Sequence, residues 1–295
     1  MDNYPGTFIC ECGTASDLSV KDCQQAEAIF ISHTHIDHFI NFDFLLRHQI
    51  GLQRRIVICG PEGITQQVQS KIRGYQWNLI EADAITYEIR EIKNDRSIER
   101  SELRPPLWDV NPIEDNLLDG LYRNKRMAVD FTILDHKTPS IAYLFREQDT
   151  VKIDMSKSEF KGGSWVRTLK TAFENGEDDL IIGVENQEFT AKELYHLLEV
   201  KEGDTLGVVM DHAASKINHE KIEVLFQSCN KVFIECFYKE EDKAFAEANF
   251  HSYSKESARI IRKCQVNEAI PVHFSRKYSE EQVEELLDEF YGELK

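Results

Sequence analysis

The chain has 295 residues, with 35 basic and 52 acidic side chains and a formal net charge of −17. The acidic balance argues against sequence-independent adhesion to nucleic acid, which needs a basic surface, although a local basic patch stays compatible with it. No run of about 18 apolar residues is present, so we expect no membrane span. The first residues lack a basic segment followed by an apolar one, so we expect no secretory signal.

The cysteines also indicate the compartment. Seven of them, an odd number, are spread from Cys10 to Cys264 without the spacing of a disulfide framework. Reduced thiols in a cytoplasmic protein fit this pattern better. Cys10 and Cys12 form a C-x-C pair, but no second pair follows at zinc-ribbon spacing, so we interpret the pair as strand alternation rather than a metal site.

Apolar runs typical of buried strands alternate with amphipathic segments typical of helices. The predicted strands lie at 7–14, 28–31, within 54–63, and at 79–92, 127–134, 141–147, 207–210, 231–238 and 268–273. The predicted helices lie at 17–26, 38–50, 64–75, 165–174, 190–199, 240–248, 254–265 and 279–294. Residues 93–126 are charged and contain three prolines, which predicts an irregular excursion over the surface. The alternation predicts an α/β layered fold.

Four metal-binding side chains follow the buried run Ala28–Ile31 within six residues: His33, His35, Asp37 and His38. If the extended backbone continues to His35, the side chains of His33 and His35 point to the same side, because strand side chains alternate. Imidazole and carboxylate ligands suit zinc, iron or manganese rather than calcium. A histidine-rich surface loop is the alternative, and the position directly after a buried strand disfavours it.

Three further ligands are predicted where apolar strands end: His136, Asp211 and His273. Capping of a turn explains any one of them alone, but not all three together with the first cluster. The ligand count then predicts two metal ions. One set is His33, His35 and His136, the other is Asp37, His38 and His273, and Asp211 bridges them. Ions about 3.5–4 Å apart would share a hydroxide that serves as the nucleophile.

The spacing His-x-His-x-Asp-His at 33–38 resembles the signature of the metallo-β-lactamase superfamily. Segments 134–147, 233–238, 251–252 and 273–278 resemble motifs of its tRNase Z branch, the 3′-tRNA-processing endoribonucleases. The resemblance implies a four-layer αββα sandwich of two mixed sheets flanked by helices, in one domain spanning 1–295 with an arm or insertion around 147–205. It also implies a homodimer and two divalent ions, zinc first and manganese or iron as alternatives. The family carries two more strands before the segment at 8–13, so we expect another element to cover that sheet edge.

The resemblance assigns roles to three more side chains. It implies that Asp37 acts with the metals as general base and that His251 is the general acid or phosphate partner. Glu235 is expected to bond His251 and keep it protonated. The expected reaction is attack of the bridging hydroxide on a phosphodiester, with the ions stabilising charge on the phosphoryl oxygens. The chain departs from the family at 234–237, where His-Glu-Ala-Thr is expected, and at His212, where the family has threonine.

The tRNA-holding arm of the family lies between the counterparts of His136 and Asp211. In this chain the interval contains a basic, glycine-containing stretch that we expect to contact an RNA backbone, with one aromatic contact. Its residues are Lys161, Gly162, Gly163, Trp165 and Arg167. The alternative is that Trp165, Leu169 and Phe173, at helical spacing, form a core.

The predicted function is a metal-dependent hydrolase with a dinuclear centre, a phosphodiesterase or endoribonuclease acting on a tRNA precursor. The alternative is a hydrolase of the same fold that acts on a small ester, lactone or cyclic phosphodiester and has no RNA substrate, which the net charge favours. A non-catalytic metal-binding scaffold is disfavoured because all seven ligand positions are retained. An iron redox role is disfavoured because no flavin or haem motif accompanies them.

Overall fold

The computed structural model describes residues 6–14, 17–95, 97–114 and 120–295. In these residues the strands are, in chain order, β1 (Thr7–Cys10), β2 (Ala26–Phe30), β3 (Arg55–Pro61), β4 (Thr86–Asn94), β5 (Ser97–Leu103), β6 (Asn111–Pro112), β7 (Tyr122–Arg123), β8 (Met127–Asp135), β9 (Pro139–Glu147), β10 (Thr150–Ile153), β11 (Ile181–Val184), β12 (Gln187–Thr190), β13 (Leu198–Lys201), β14 (Thr205–Val209), β15 (Lys231–Glu235) and β16 (Glu268–Val272). The α-helices are α1 (Val20–Gln25), α2 (Ile36–Phe39), α3 (Phe42–Gln49), α4 (Ile64–Arg73), α5 (Ser164–Asn175), α6 (Ala191–Leu194), α7 (Lys216–Phe226), α8 (Lys243–Asn249), α9 (Ser254–Lys263) and α10 (Glu280–Leu294).

The chain forms two compact units, a main unit up to Arg146 and from Thr205 to Lys295, and a small unit, Glu147–Asp204. The main unit contains two sheets, with strand orders β1-β2-β3-β4-β5-β6 and β16-β15-β14-β9-β8-β7. Both are mixed, because β4 runs parallel to β3 but antiparallel to β5, and β14 runs parallel to β15 but antiparallel to β9.

Three apolar cores stack the main unit into layers. The inner faces of the two sheets meet through buried residues such as Phe30, Val57, Tyr143 and Phe145. The outer face of the first sheet is covered by α1, α3 and α4, and that of the second by α7, α9 and α10. The predicted four-layer αββα sandwich is confirmed. It buries both faces of each sheet, which is why the central strands are apolar runs rather than alternating sequences.

The sheet topology brings several strand ends to one edge. Strands β14, β15 and β16 are parallel to one another. Strand β9 is antiparallel to β14, and the tight turn after β8 reverses the chain into β9, so β8 runs in the same direction as β14. The loops after β8, β14, β15 and β16 therefore leave the sheet on the same side, where sites in open α/β sheets are commonly built.

The small unit has its own apolar core. Helix α5 packs buried Trp165 and Leu169 against the β11–β12 hairpin and α6. Strands β10 and β13 pair antiparallel near the two ends of the segment. The Glu147 amide donates to the Asp204 carbonyl at 2.9 Å, so the segment leaves and returns at neighbouring points.

Some boundaries differ from the prediction. The helix expected at 38–50 is two helices, α2 and α3, separated at Ile40 and Asn41. Residues 97–103 form β5, so the prediction of an irregular segment there was wrong. The sequence SIERSEL carries charges that usually indicate a solvated loop, but β5 pairs with β4 and directs its Arg100 side chain to the buried Glu88.

The cysteines and the helices also answer two expectations drawn from the composition. All seven cysteines are unpaired. In the part of the chain that the structure describes, none of the helices combines the length and apolarity that crossing a bilayer requires.

The charges on the first sheet form a compact ion cluster. Glu88 is 3% exposed and accepts from Arg55 at 2.8 Å, from Arg90 at 2.8 Å and from Arg100 at 2.9 Å. Burial opposes ionisation of this carboxyl, but the three guanidinium groups outweigh it and lower the pKa of Glu88 from its ordinary value. A buried carboxylate with three partners is costly to break, because the remaining arginines lose their counter-charge.

Glu88→Gln should therefore lower the free energy of unfolding by about 3–5 kcal/mol at pH 7, measured by urea denaturation. A lowered folded-state pKa contributes stability above the unfolded value near 4.5, and that contribution is lost as the pH falls through the folded-state pKa. The difference between wild type and variant should thus shrink below pH 4.5. Glu99→Gln, at a carboxylate 68% exposed, is the matched control and should change stability by less than about 0.5 kcal/mol. Equal effects of the two substitutions would contradict this account.

Candidate metal centre

The loop after β2 carries the first group of histidines. Strand β2 ends at Phe30, so the extended geometry expected to reach His35 stops earlier. The rings of His33 and His35 nevertheless lie close, with centroids 4.4 Å apart. Helix α2 begins at Ile36 and places His38 back toward the interior, where its ring centroid is 4.2 Å from that of His33.

His136 sits in the turn between β8 and β9. The turn is fixed by Asn218, whose side chain accepts from the Asp135 amide at 2.9 Å and donates to the Asp135 carbonyl at 2.9 Å. His136 Nδ1 donates to the Phe250 carbonyl at 2.7 Å, since a carbonyl can only accept. This bond leaves Nε2 of His136 directed at Asp211 Oδ2, 3.4 Å away.

Asp211 lies at the centre, two residues after β14. Its Oδ2 faces His136 Nε2 at 3.4 Å and His33 Nε2 at 3.8 Å. Its Oδ1 faces His273 Nδ1 at 3.0 Å and His38 Nε2 at 3.4 Å. One carboxylate therefore presents one oxygen to each of two histidine groups, the geometry of a bridging ligand.

The structure brings all seven predicted metal ligands together. Ligand atoms of each of three groups lie within 4.8 Å of one another. The groups are His33, His35, His136 and Asp211; Asp37, His38 and His273; and Asp211, Glu235, His251 and His273. The first two match the two predicted sets. Asp37 is at the open side, 39% exposed, with Oδ2 3.7 Å from His273 Nε2.

Buried polar atoms without a hydrogen-bond partner indicate whether metal ions fit between these side chains. Among the described residues, four buried atoms that face this centre have no hydrogen-bond partner: His33 Nε2, His38 Nε2, Asp211 Oδ1 and His273 Nδ1. Buried polar atoms are rarely left without partners. Imidazole and carboxylate donors at this spacing suit zinc, manganese or iron. The residues therefore fit two divalent ions.

The electrostatics of the centre are set by burial and by Asp211. Burial, together with the neighbouring His38, lowers the pKa of His33 to about 3, so its ring is neutral and available as a ligand. Burial also opposes the charged ring of His38, but the neighbouring carboxylates of Asp211 and Glu11 outweigh it and raise the pKa of His38 to about 10. Burial opposes ionisation of Asp211 as well, yet the surrounding imidazoles hold its pKa well below the ordinary value.

His251 and Glu235 form a pair beside the metal-binding groups. Glu235 is fully buried, accepts from the His212 amide at 3.0 Å and the Ser252 amide at 3.2 Å, and hydrogen-bonds His251 Nδ1. Burial works against the protonated ring, but the bond to Glu235 prevails and raises the pKa of His251. Phe237, where the family has threonine, stacks on His251 with ring centroids 3.8 Å apart and planes 6° apart.

His212 has a structural place. It is fully buried, and its Nδ1 donates to the Met210 carbonyl at 2.9 Å. It is absent from the candidate ligand groups of the described residues. The interpretation of His212 as a structural residue agrees with these contacts.

The predicted RNA-contacting residues belong to the small unit. Lys161, Gly162, Gly163 and Arg167 are exposed there. Trp165 is 6% exposed, its ring packs in the core of the unit, and its Nε1 donates to the Lys161 carbonyl at 2.9 Å. An aromatic contact of Trp165 with RNA was the wrong interpretation, and the alternative, a core formed by Trp165 and Leu169 at helical spacing, agrees with the burial of both side chains.

Two residues behind the histidines, Glu11 and Ser32, were not predicted from the sequence. Glu11, directly after β1, accepts from His38 Nδ1 at 2.5 Å. Ser32 donates to Glu11 and contacts His33 Nδ1 at 3.0 Å. A carboxylate next to a buried strand and a serine next to the first ligand were the available signals, but neither shows which ring it reaches.

Comparison with known proteins agrees with this geometry. No family model matches the chain. It is 25% identical over 289 residues to the ribonuclease Z of Deinococcus radiodurans, covering 95% of this chain and 86% of that protein. It is 26% identical over 303 residues to the ribonuclease Z of Borrelia recurrentis, covering 98% and 83%.

Solved structures give the same fold. The short form of human tRNase Z superposes with a TM-score of 0.52 at 15% identity, covering 92% of this chain and 82% of that one. The metallo-β-lactamase fold protein YhfI from Bacillus subtilis superposes with a TM-score of 0.53 at 11% identity, covering 95% and 79%. The chain is similar to ribonuclease Z proteins and has the metallo-β-lactamase fold. The likeness to these four proteins extends over 92–98% of this chain.

Asp211→Asn should lower the number of divalent ions that the protein binds, because an amide presents only one acceptor oxygen and no charge to the two histidine groups. Metal content measured by elemental analysis after reconstitution and dialysis checks this. Asp130→Asn is the matched control, since that carboxylate is 45% exposed and pairs with Arg146. Two ions retained by the Asp211 variant would contradict the bridging role.

Proposed function

We propose that this ribonuclease Z-like protein is a metal-dependent endoribonuclease that cleaves a phosphodiester near the 3′ end of a tRNA precursor. The observation that carries the proposal is the arrangement of Asp211 between two histidine groups, with the Glu235–His251 pair beside them. A second support is the resemblance to ribonuclease Z over 95% of the chain. Phosphoryl transfer needs neutralisation of the negative charge on the phosphoryl oxygens and proton transfer to the leaving oxygen. The site supplies residues for both.

The metal ligands are proposed as two sets that share one carboxylate. His33, His35 and His136 hold one ion, Asp37, His38 and His273 hold the other, and Asp211 bridges them. When bound, the two ions would lower the pKa of a water molecule and neutralise charge on the phosphoryl oxygens. Zinc is the proposed metal because imidazole and carboxylate are among its usual ligands, and manganese and iron remain alternatives for the same donors.

Proton transfer is proposed for two side chains. Asp37 is the more exposed acidic ligand and is positioned to accept a proton from the attacking water. His251 is placed to donate a proton to the leaving oxygen, because the buried Glu235 holds its Nδ1 and favours the charged ring. Phe237 stacked on one face of His251 limits rotation of that ring.

The small unit is proposed as the part that contacts the RNA outside the reacting phosphodiester. Lys161 and Arg167 are exposed and suit phosphate contacts, while Gly162 and Gly163 leave the backbone accessible. Trp165 has no part in this, since it is in the core. A homodimer is proposed from the family resemblance alone, and light scattering in solution checks it.

The function is tested by incubating the zinc-reconstituted protein with a 3′-extended tRNA precursor and, separately, with bis(p-nitrophenyl) phosphate. We expect cleavage of the precursor at one position near the mature 3′ end, resolved by gel electrophoresis of end-labelled RNA. The Asp37→Ala variant is expected to lose this cleavage. Hydrolysis of the small diester without cleavage of the precursor would remove the RNA substrate from the proposal.

His251→Ala should lower kcat by about 10²–10⁴-fold, the range for loss of a general acid, while the metal content stays at two ions. Single-turnover cleavage of the precursor and elemental analysis on the same preparation measure both quantities. His48→Gln is the control, because His48 lies on α3 and packs edge-on against Phe44. Unchanged kcat in the His251 variant would exclude it as the proton donor.

A further inference from the structure

The residue after β1 is held in an uncommon backbone conformation. Glu11 has a φ of +71°, in the left-handed region that residues with a side chain seldom adopt. Three backbone bonds fix it. Its amide donates to the Phe30 carbonyl at 2.8 Å, the Cys12 amide donates to the His38 carbonyl at 3.0 Å, and the Asn41 amide donates to the Cys12 carbonyl at 2.9 Å. Such conformations persist only where the surroundings determine them, often at functional sites.

The next turn is tightly packed against the loop that carries the histidines. A Cβ at Gly13 would lie 1.9 Å from the Asp37 carbonyl oxygen, which no neighbour adjustment can absorb. The segment 11–13 is therefore fitted to the backbone of residues 37–38. This close fit places the Glu11 side chain beneath the histidine rings rather than in solvent, and the side chain is 14% exposed.

The Glu11 carboxylate accepts three hydrogen bonds. Oε1 accepts from the Ser32 amide at 2.7 Å. Oε2 accepts from His38 Nδ1 at 2.5 Å and from Ser32 Oγ at 3.1 Å. The bond from His38 means that its Nδ1 carries a hydrogen and its Nε2 is the atom facing Asp211 Oδ1.

The same carboxylate reaches His33 through Ser32. A hydroxyl has one hydrogen, and Ser32 uses it on Glu11. Ser32 Oγ therefore accepts from His33 Nδ1, 3.0 Å away. The His33 ring then also carries its hydrogen on Nδ1, and its unpartnered Nε2 faces Asp211 Oδ2.

We infer that Glu11 is a positioning residue that fixes the ring orientation and tautomer of one histidine in each metal-binding group, His38 directly and His33 through Ser32. His33 and His38 belong to the two different groups that Asp211 joins. One half-buried carboxylate outside the ligand set therefore adjusts the affinity for both ions. Carboxylates that accept from a ligand histidine typically affect metal affinity by about 10–100-fold. The inference rests on the proposed metal centre and deepens it.

Glu11→Gln is the deciding variant, because it keeps the shape but replaces one acceptor oxygen by a donor NH₂. Either the Ser32 amide or the pair His38 Nδ1 and Ser32 Oγ must then face a donor. We expect the affinity for zinc to fall about 10–100-fold, measured by competition with a chromophoric chelator. The visible absorption spectrum of the cobalt(II)-substituted protein should also change, which loss of general stability would not produce.

Ser32→Ala separates the direct effect of Glu11 on His38 from its effect on His33 through Ser32. It removes the relay to His33 but leaves the bond between Glu11 and His38. We expect weaker binding of one ion and unchanged binding of the other, seen as two separated phases in the same competition titration. Glu268→Gln is the matched control for Glu11→Gln, because it removes the same negative charge. The Glu268 carboxylate lies exposed on β16 and pairs with Lys231.

The outcomes distinguish this inference from the proposed function. Wild-type protein that binds no zinc would overturn the metal centre and with it the proposed function. Wild type that binds two ions, together with Glu11→Gln protein of unchanged zinc affinity and unchanged cobalt spectrum, would overturn only the role of Glu11. Should the Glu11 variant fail to fold by circular dichroism, the Ser32→Ala titration decides, and a single phase of wild-type affinity overturns the inference.

Discussion

The structure depends on one buried carboxylate and its histidines. Asp211 is 2% exposed, and removing a charge from water costs several kcal/mol unless partners replace the solvent. Its two oxygens face four imidazole nitrogens at 3.0–3.8 Å. The sheet topology brings the strand ends to this edge, and there the imidazoles surround the buried carboxylate.

Convergence is a property of sheet topology, and this is why the sequence predicts that these side chains lie together. A polar ligand that ends an apolar run indicates a strand end, and His136, Asp211 and His273 each do so. The ends of β14, β15 and β16 meet at one edge because these strands are parallel, and the turn between β8 and β9 lies at the same edge. This prediction does not depend on the backbone conformation around His33 and His35. The ligands therefore converge although β2 ends at Phe30 and the extended backbone does not reach His35.

The residues that escaped prediction are those whose role depends on geometry alone. Glu11 occupies a left-handed backbone position that no hydrophobic pattern indicates. The spacing of Trp165 is the same for a buried stripe and for an RNA-facing one, and only its 6% exposure distinguishes them. Strand β5 carries charges because its half-buried Arg100 has a buried partner in Glu88. In each case a long-range partner, rather than the local sequence, determines the structure.

The net charge of −17 argues less strongly against RNA than it does at first sight. Much of the acidity near the centre is internal, since Glu11, Asp211 and Glu235 are turned toward histidines and backbone amides rather than toward solvent. Two divalent cations would cancel the charge of these three carboxylates and of Asp37. Against the effect of burial, the bond to Glu235 raises the pKa of His251, which favours a positive charge at the same place. A phosphodiester that enters the site meets this local balance, because the charges elsewhere on an acidic surface are screened within about 8–10 Å at physiological salt.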